Sequence, residues 1–217
     1  MSNRSSRRRN KSWSDPLQNI PDETIGIFLF DNQRLTTPET IDSYVQQFCR
    51  KVSPKEAPIF VGIQPLGWSR QNYCNKNVER MIQLHGGRMV LGYKIWYVPR
   101  LYIEAERHAI WQNPDGELID ITFNTSGETK ILFLPAPALK TVIAYPHTKP
   151  REAYHPRVRD FIETHKKVEQ FQSQFFLHDD TWEGWAEGLS FEKWSLINKN
   201  QANITHSNCP KMPVPPL

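Results

Sequence analysis

Four apolar segments follow one another between residues 88 and 135, and they constrain the fold more than any other feature of the sequence. They are "RMVLGYKIWYV" (88–98), "LYIEAERHAIW" (101–111), "ELIDITF" (117–123) and "KILFLP" (130–135). Each is rich in β-branched and aromatic residues and is bounded by turn-forming residues, which is typical of strands. Because short connections usually join neighbouring antiparallel strands, the sequence predicts a meander sheet. The apolar runs 25–30 and 58–63 predict two further buried strands.

Segments with helical spacing flank this predicted sheet. A helix capped by a threonine is expected within 36–52, and a second one within 69–87, capped by Ser69 or Asn72 and ended by two glycines. A long amphipathic helix is expected from residue 157, followed by a short helix or an aromatic cover at 179–194. The fold class is therefore α+β: a helix that carries Cys74 packs on an antiparallel meander sheet, and a helical C-terminal segment closes it.

The length of 217 residues suits one domain with extensions. We expect a disordered basic arm at 1–20, the α+β core at 21–150, a helical extension packing on that core at 151–195, and an irregular tail at 196–217.

The positive charge is concentrated at the N-terminus. The chain has 27 basic and 23 acidic residues, and residues 1–14 hold five basic residues and no acidic one. Without those five the chain is close to neutral, so contact with nucleic acid or an acidic partner is expected only through residues 4–11. The alternative is a solvated arm without a partner.

Other compositional features exclude several classes of protein. No apolar run reaches the 18–20 residues that cross a bilayer, and the N-terminus lacks the apolar segment of a signal peptide, so a cytoplasmic protein without membrane contact is expected. Cys49, Cys74 and Cys209 are widely spaced and form no CxxC pair, which argues against a disulfide framework or structural zinc. We expect no cofactor and no resident metal, and we interpret Cys49 as a small packing residue.

The hairpin around "NPDG" (113–116) brings a histidine and an aspartate together. Proline suits the second position of a type I turn, and Gly116 can adopt the left-handed conformation that follows it. If Asn113 pairs with Glu117, paired residue numbers sum to 230, so His108 faces Thr122. His108 and Asp120 are then diagonal neighbours on one face, close enough for a hydrogen bond.

Alternation assigns the two faces of this hairpin. One face is apolar and is expected to form the core, whereas the other is polar and carries Glu104, Glu106, His108, Asp120 and Thr122. The predicted histidine–aspartate pair therefore lies on the polar face, where Glu106 and Thr122 could support it.

Cys74 is the candidate third member of this site. A thiol in the first turn of a helix is favoured as a thiolate by the helix dipole and by unpaired backbone N–H groups. A neighbouring imidazole would exchange its proton, and Asp120 would fix the tautomer of that imidazole.

The segment 64–124 resembles the core of the transglutaminase-like branch of the papain-like cysteine enzymes. The motifs that carry the resemblance are Cys74 at a helix start, "GGRMVLGY" (86–93), "HAIW" (108–111) and "LIDIT" (118–122). The resemblance implies Cys74 as the nucleophile, His108 as general base and acid, and Asp120 as the residue that orients the histidine. It also implies an upstream residue that stabilises the oxyanion, for which the candidates are Gln64, Trp68 and Gln71.

Two departures from that pattern stand out. Glu117 and Leu118 replace the aromatic residue that usually precedes the aspartate's strand, and the cysteine is followed by "NKNV" instead of small residues.

The resemblance implies attack of a thiolate on an amide bond of a protein or peptide-like substrate, as in a peptidase, deamidase or transglutaminase. Two other interpretations remain open. A catalytically inactive module of the same fold could use its basic arm to bind nucleic acid or acidic proteins. Alternatively, Glu104, Glu106, His108 and Asp120 could converge on a divalent metal ion.

Overall fold

A computed structural model describes residues 35–142, 149–172 and 181–198. Its helices and strands are, in chain order, α1 (Ser43–Val52), β1 (Ile59–Ile63), α2 (Cys74–His85), β2 (Arg88–Val98), β3 (Tyr102–Gln112), β4 (Leu118–Asp120), β5 (Lys130–Pro135), β6 (Arg151–Ala153), α3 (Pro156–Gln172), α4 (Trp182–Glu187) and α5 (Phe191–Ile197). The predicted strand at 25–30, the basic arm, the tail from residue 199 and Cys209 lie outside the described residues. The domain boundaries remain predictions.

The strands form a closed, mixed barrel, so α+β is the correct class but a simple meander is not. The order β2-β5-β1-β4-β3 closes on itself because β2 also pairs with β3, and β6 is added to β3. The prediction of four consecutive antiparallel neighbours is wrong at β4 and β5. There β1 is inserted, parallel to β4 and antiparallel to β5. Closure removes the two free edges that a four-stranded meander would expose.

The predicted register of the β3–β4 hairpin is confirmed. Trp111 pairs with Ile119, and Gln112 pairs with Leu118, so paired numbers sum to 230. At the turn, the N–H of Asn113 donates to the carbonyl of Glu117 at 2.9 Å, and Gly116 adopts a φ of 90°. The local turn chemistry therefore sets which side chains of the two strands share a face.

Barrel closure buries both faces of the sheet. The inner face carries a cluster of apolar residues at one end: Val61, Ile63, Ile110, Ile131 and Phe133. The outer face is covered by α1 over one part and by α2 over another. The polar face of the hairpin, which was predicted to lie outside the core, therefore faces the barrel interior. Its residues Glu104, His108, Asp120 and Thr122 are buried.

The helix starts differ from those expected. Helix α1 begins after Asp42, whose carboxylate accepts from the N–H of Val45 at 2.9 Å, so the predicted threonine cap is wrong. Helix α2 begins at Cys74 after Tyr73, and no side chain caps it. Neither Ser69 nor Asn72 is the cap. Ser69 accepts a hydrogen bond from Leu66 within the preceding loop instead.

The C-terminal helices pack on two sides of the barrel. Val158 and Ile162 of α3 join a cluster with Val98 and Leu101. The aromatic segment expected to form one short helix or a cover folds as two helices, α4 and α5, and strand β6 was not predicted. None of the helices within the described residues is long and apolar enough to cross a membrane.

Candidate active site

Cys74 is the first residue of α2 and faces the barrel. Its side chain packs with Val78 and Met81 of the same helix and with Ala109 and Ile121 of the hairpin. The residue is 9 % exposed, so the site is nearly closed to solvent. The helix start thus places the thiol beside backbone N–H groups that have no partner within the helix.

His108 and Asp120 form a buried pair, as the hairpin register predicts. Nε2 of His108 lies 3.0 Å from Oδ2 of Asp120, and the two residues are 5 % and 0 % exposed. The second carboxylate oxygen, Oδ1, accepts from the N–H of Thr122 at 2.9 Å. Both oxygens of Asp120 are therefore held, which fixes the direction from which it binds the imidazole.

The surroundings of His108 favour its protonated form. Burial alone would lower its pKa, but the charges of Asp120 and Cys74, together with hydrogen bonds to both residues, raise that pKa to about 10. The thiol, the imidazole and the carboxylate thus form one row, in which His108 is hydrogen-bonded to Asp120 and the Cys74 thiol lies near enough to the imidazole to affect its charge.

The row lies where the β3–β4 ladder ends. That ladder has two residue pairs and stops before His108 and Thr122, which would face each other if pairing continued. Asp120 is also bound to the segment that follows β1, because its carbonyl accepts from the N–H of Gln64 at 2.8 Å. A thiol on the outer helix can therefore reach a histidine of the inner face at this end of β4.

The carboxylates farther along β3 are occupied by cations and hydrogen-bond donors. Oε2 of Glu104 accepts from Arg151 at 3.2 Å, and Oε2 of Glu106 accepts from Trp96 at 2.6 Å. Burial alone would raise the pKa of Glu106, but Lys149 and other positive neighbours together with the Trp96 hydrogen bond lower it. Within the described residues no group of three His, Cys, Asp or Glu side chains is arranged to hold a metal ion. The alternative metal site is therefore not supported there.

The three oxyanion candidates have different surroundings. Gln64 is bonded through its backbone to Asp120, as described above. Trp68 packs toward Trp185 with ring centroids 6.3 Å apart, and the side-chain amide of Gln71 lies 3.4 Å from the hydroxyl of Thr125. Gln64 is thus the candidate whose backbone is hydrogen-bonded directly to a member of the Cys74, His108 and Asp120 triad.

Asn77 is a residue of the site that sequence reasoning missed. It lies one turn after Cys74 and is 0 % exposed. Its side-chain amide donates to the hydroxyl of Thr122 at 3.1 Å. One signal was available in the sequence: position 77 lies on the apolar face of α2 beside Val78 and Met81, where a polar side chain needs buried partners.

Comparisons of this chain with protein-family models, curated proteins and solved structures found no match.

Proposed function

We propose that this protein is a cysteine-nucleophile acyl-transfer enzyme that acts on an amide bond through Cys74, His108 and Asp120. The observation that carries the proposal is the row of these three side chains, in which His108 is hydrogen-bonded to Asp120 at 3.0 Å and influenced by the Cys74 thiol. The earlier resemblance to transglutaminase-like enzymes supports the same proposal from the sequence.

The first half of the reaction forms an acyl-enzyme. Nε2 of His108 is held by Asp120, so Nδ1 is the nitrogen that exchanges a proton with Cys74. The thiolate attacks the substrate carbonyl and forms a C–S bond, while backbone N–H groups at the start of α2 and an upstream side chain stabilise the oxyanion. The C–N bond then breaks, and His108 gives its proton to the leaving amine.

The second half releases the acyl group. Water, or an amine, loses a proton to His108 and attacks the thioester carbonyl, after which the C–S bond breaks and the thiolate is restored. Hydrolysis, deamidation and amine transfer share these steps, and the substrate is a protein or a peptide-like amide.

A thioester acyl donor tests the proposal, since its acyl group would be trapped on the nucleophile. Intact-mass and peptide mass spectrometry should show one acyl group on Cys74, and His108→Ala should abolish this adduct. Cys49 is a matched internal control, because burial raises the pKa of its thiol to about 12. Acylation of Cys49 and Cys74 to the same extent would contradict the proposal.

One observation favours a second candidate, an inactive module of the same fold. The three side chains of the row are almost fully buried, which leaves little room for a substrate. Such a module would bind nucleic acid or an acidic partner with a steep salt dependence that disappears when residues 1–14 are deleted. In that case Cys74→Ala would leave binding unchanged, and no acyl adduct would form.

A further inference from the structure

The loop before α2 is held by the C-terminal part of the chain. We call residues 64–73 the pre-helix loop and residues 185–192 the C-terminal clasp. Three backbone hydrogen bonds join them: Gln71 N–H to Leu189 at 3.2 Å, Phe191 N–H to Ser69 at 2.9 Å and Glu192 N–H to Gly67 at 3.0 Å. The loop that carries the oxyanion candidates is thus paired along its length with a distant segment.

Asn77 is the point where this clasp meets the triad. Its Oδ1 accepts from the backbone N–H of Arg70 and from Nε1 of Trp185, both at 2.9 Å. Its Nδ2 donates to the carbonyl of Arg70 at 2.8 Å and to Thr122 at 3.1 Å. The amide therefore makes four hydrogen bonds, to the pre-helix loop, the clasp and the residue that binds Asp120.

We propose that Asn77 is a positioning residue that couples docking of the C-terminal clasp to the alignment of Cys74 with His108. The inference rests on the proposed function. Asn77 lies one turn from Cys74, so a shift of its side chain tilts the helix start that carries the thiol. Through Thr122 the same side chain is linked to the N–H that holds Asp120.

The pH dependence of Cys74 alkylation separates positioning from mere folding. An unperturbed thiol of pKa near 8.5 reacts about 200-fold more slowly with iodoacetamide at pH 6 than at pH 9, because so little thiolate is present. A thiolate paired with protonated His108 reacts at pH 6 within about threefold of its rate at pH 9. The ratio of the two rates therefore reports alignment in variants that circular dichroism shows to be folded, since unfolded chains react as an unperturbed thiol.

Two tryptophan variants of the full chain form a matched pair. Trp185→Phe removes the N–H that binds Asn77, whereas Trp182→Phe removes the indole of a neighbour whose ring packs on Trp185 at 5.5 Å. Because misalignment weakens the pairing with His108 and returns the thiol toward its ordinary pKa, we expect the pH 6 to pH 9 ratio to fall about threefold in Trp185→Phe and about tenfold in Asn77→Leu. In Trp182→Phe it should stay within about twofold of wild type.

The outcomes distinguish the two proposals. A wild-type ratio equal to that of an unperturbed thiol overturns the proposed function, and this inference with it. If the wild-type ratio is near one and both Asn77→Leu and Trp185→Phe keep that ratio, only the positioning role of Asn77 is overturned. If circular dichroism shows that Asn77→Leu does not fold, the difference between Trp185→Phe and Trp182→Phe decides.

Discussion

Asp120→Asn should remove the positive charge of His108 at neutral pH. Asparagine has the shape of aspartate and can still accept from the N–H of Thr122, so the fold around position 120 is retained. Its amide group, however, faces Nε2 of His108 as a donor. Nε2 must then accept, which requires the neutral imidazole with its proton on Nδ1.

The size of the effect follows from the 3.0 Å separation of Nε2 and Oδ2. Two unit charges at that distance attract by about 5.5 kcal/mol at an effective dielectric constant of about 20. This energy corresponds to a change of about four in pKa. Since the pKa of His108 is raised to about 10, loss of the Asp120 charge should bring it below 7, where burial favours the neutral ring.

Nitrogen-15 NMR of the histidine side chains measures this directly, because the two ring nitrogens have similar shifts in imidazolium and different shifts in the neutral ring. At pH 7 we expect imidazolium in wild type and a neutral ring in Asp120→Asn. Cys74→Ala is the control: Asp120 contributes more than Cys74 to raising the pKa of His108, so this variant should keep the imidazolium. An imidazolium in Asp120→Asn at pH 7 would refute the electrostatic argument.

Three further predictions concern the barrel. Glu106→Gln should lower the free energy of unfolding by about 2 kcal/mol at pH 7, because it removes the charged acceptor of the Trp96 hydrogen bond and one of the two carboxylates near Lys149. The other carboxylate, Glu104, stays 3.6 Å from Lys149. The pKa of Glu106 is lowered in the folded protein, so its carboxylate stabilises the fold above about pH 4.5, and this stabilisation is lost at lower pH. Urea titrations should therefore show a smaller difference in unfolding free energy between wild type and Glu106→Gln at pH 4 than at pH 7. Gly92→Ala should lower the free energy of unfolding by more than about 3 kcal/mol, measured in the same way, since its Cβ would clash with the carbonyl oxygen of Leu134. A loss below about 1 kcal/mol would contradict that clash. Cys49 should react with iodoacetamide at pH 8 only after denaturation, because its thiol is buried, and labelling of the native protein would contradict that burial.

Local chemistry made the hairpin predictable from sequence. The turn at 113–116 determines its own register, so the neighbourhood of His108 and Asp120 follows from a few adjacent residues. The end of α2 at Gly86 was predictable for the same reason, since glycine readily adopts the conformation that follows a helix. Both features depend on interactions between residues close in the chain.

Long-range pairing explains what could not be predicted. Nothing in "IFVGI" (59–63) indicates that this strand lies between β4 and β5, because its partners are set by barrel closure. The same closure turned the polar side of the hairpin into an interior. The role of Asn77 depends on Trp185, which is 108 residues away in sequence and comes close only in the folded protein.

The insertion of β1 between two later strands also determines when the proposed site can be completed during synthesis. A ribosome-bound chain that has emerged only as far as β3 contains Cys74 and His108, but β4, which carries Asp120, and β5, which completes the barrel, are not yet made. The clasp is made later still. Non-local pairings of this kind form slowly, so the proposed site is assembled only late in folding.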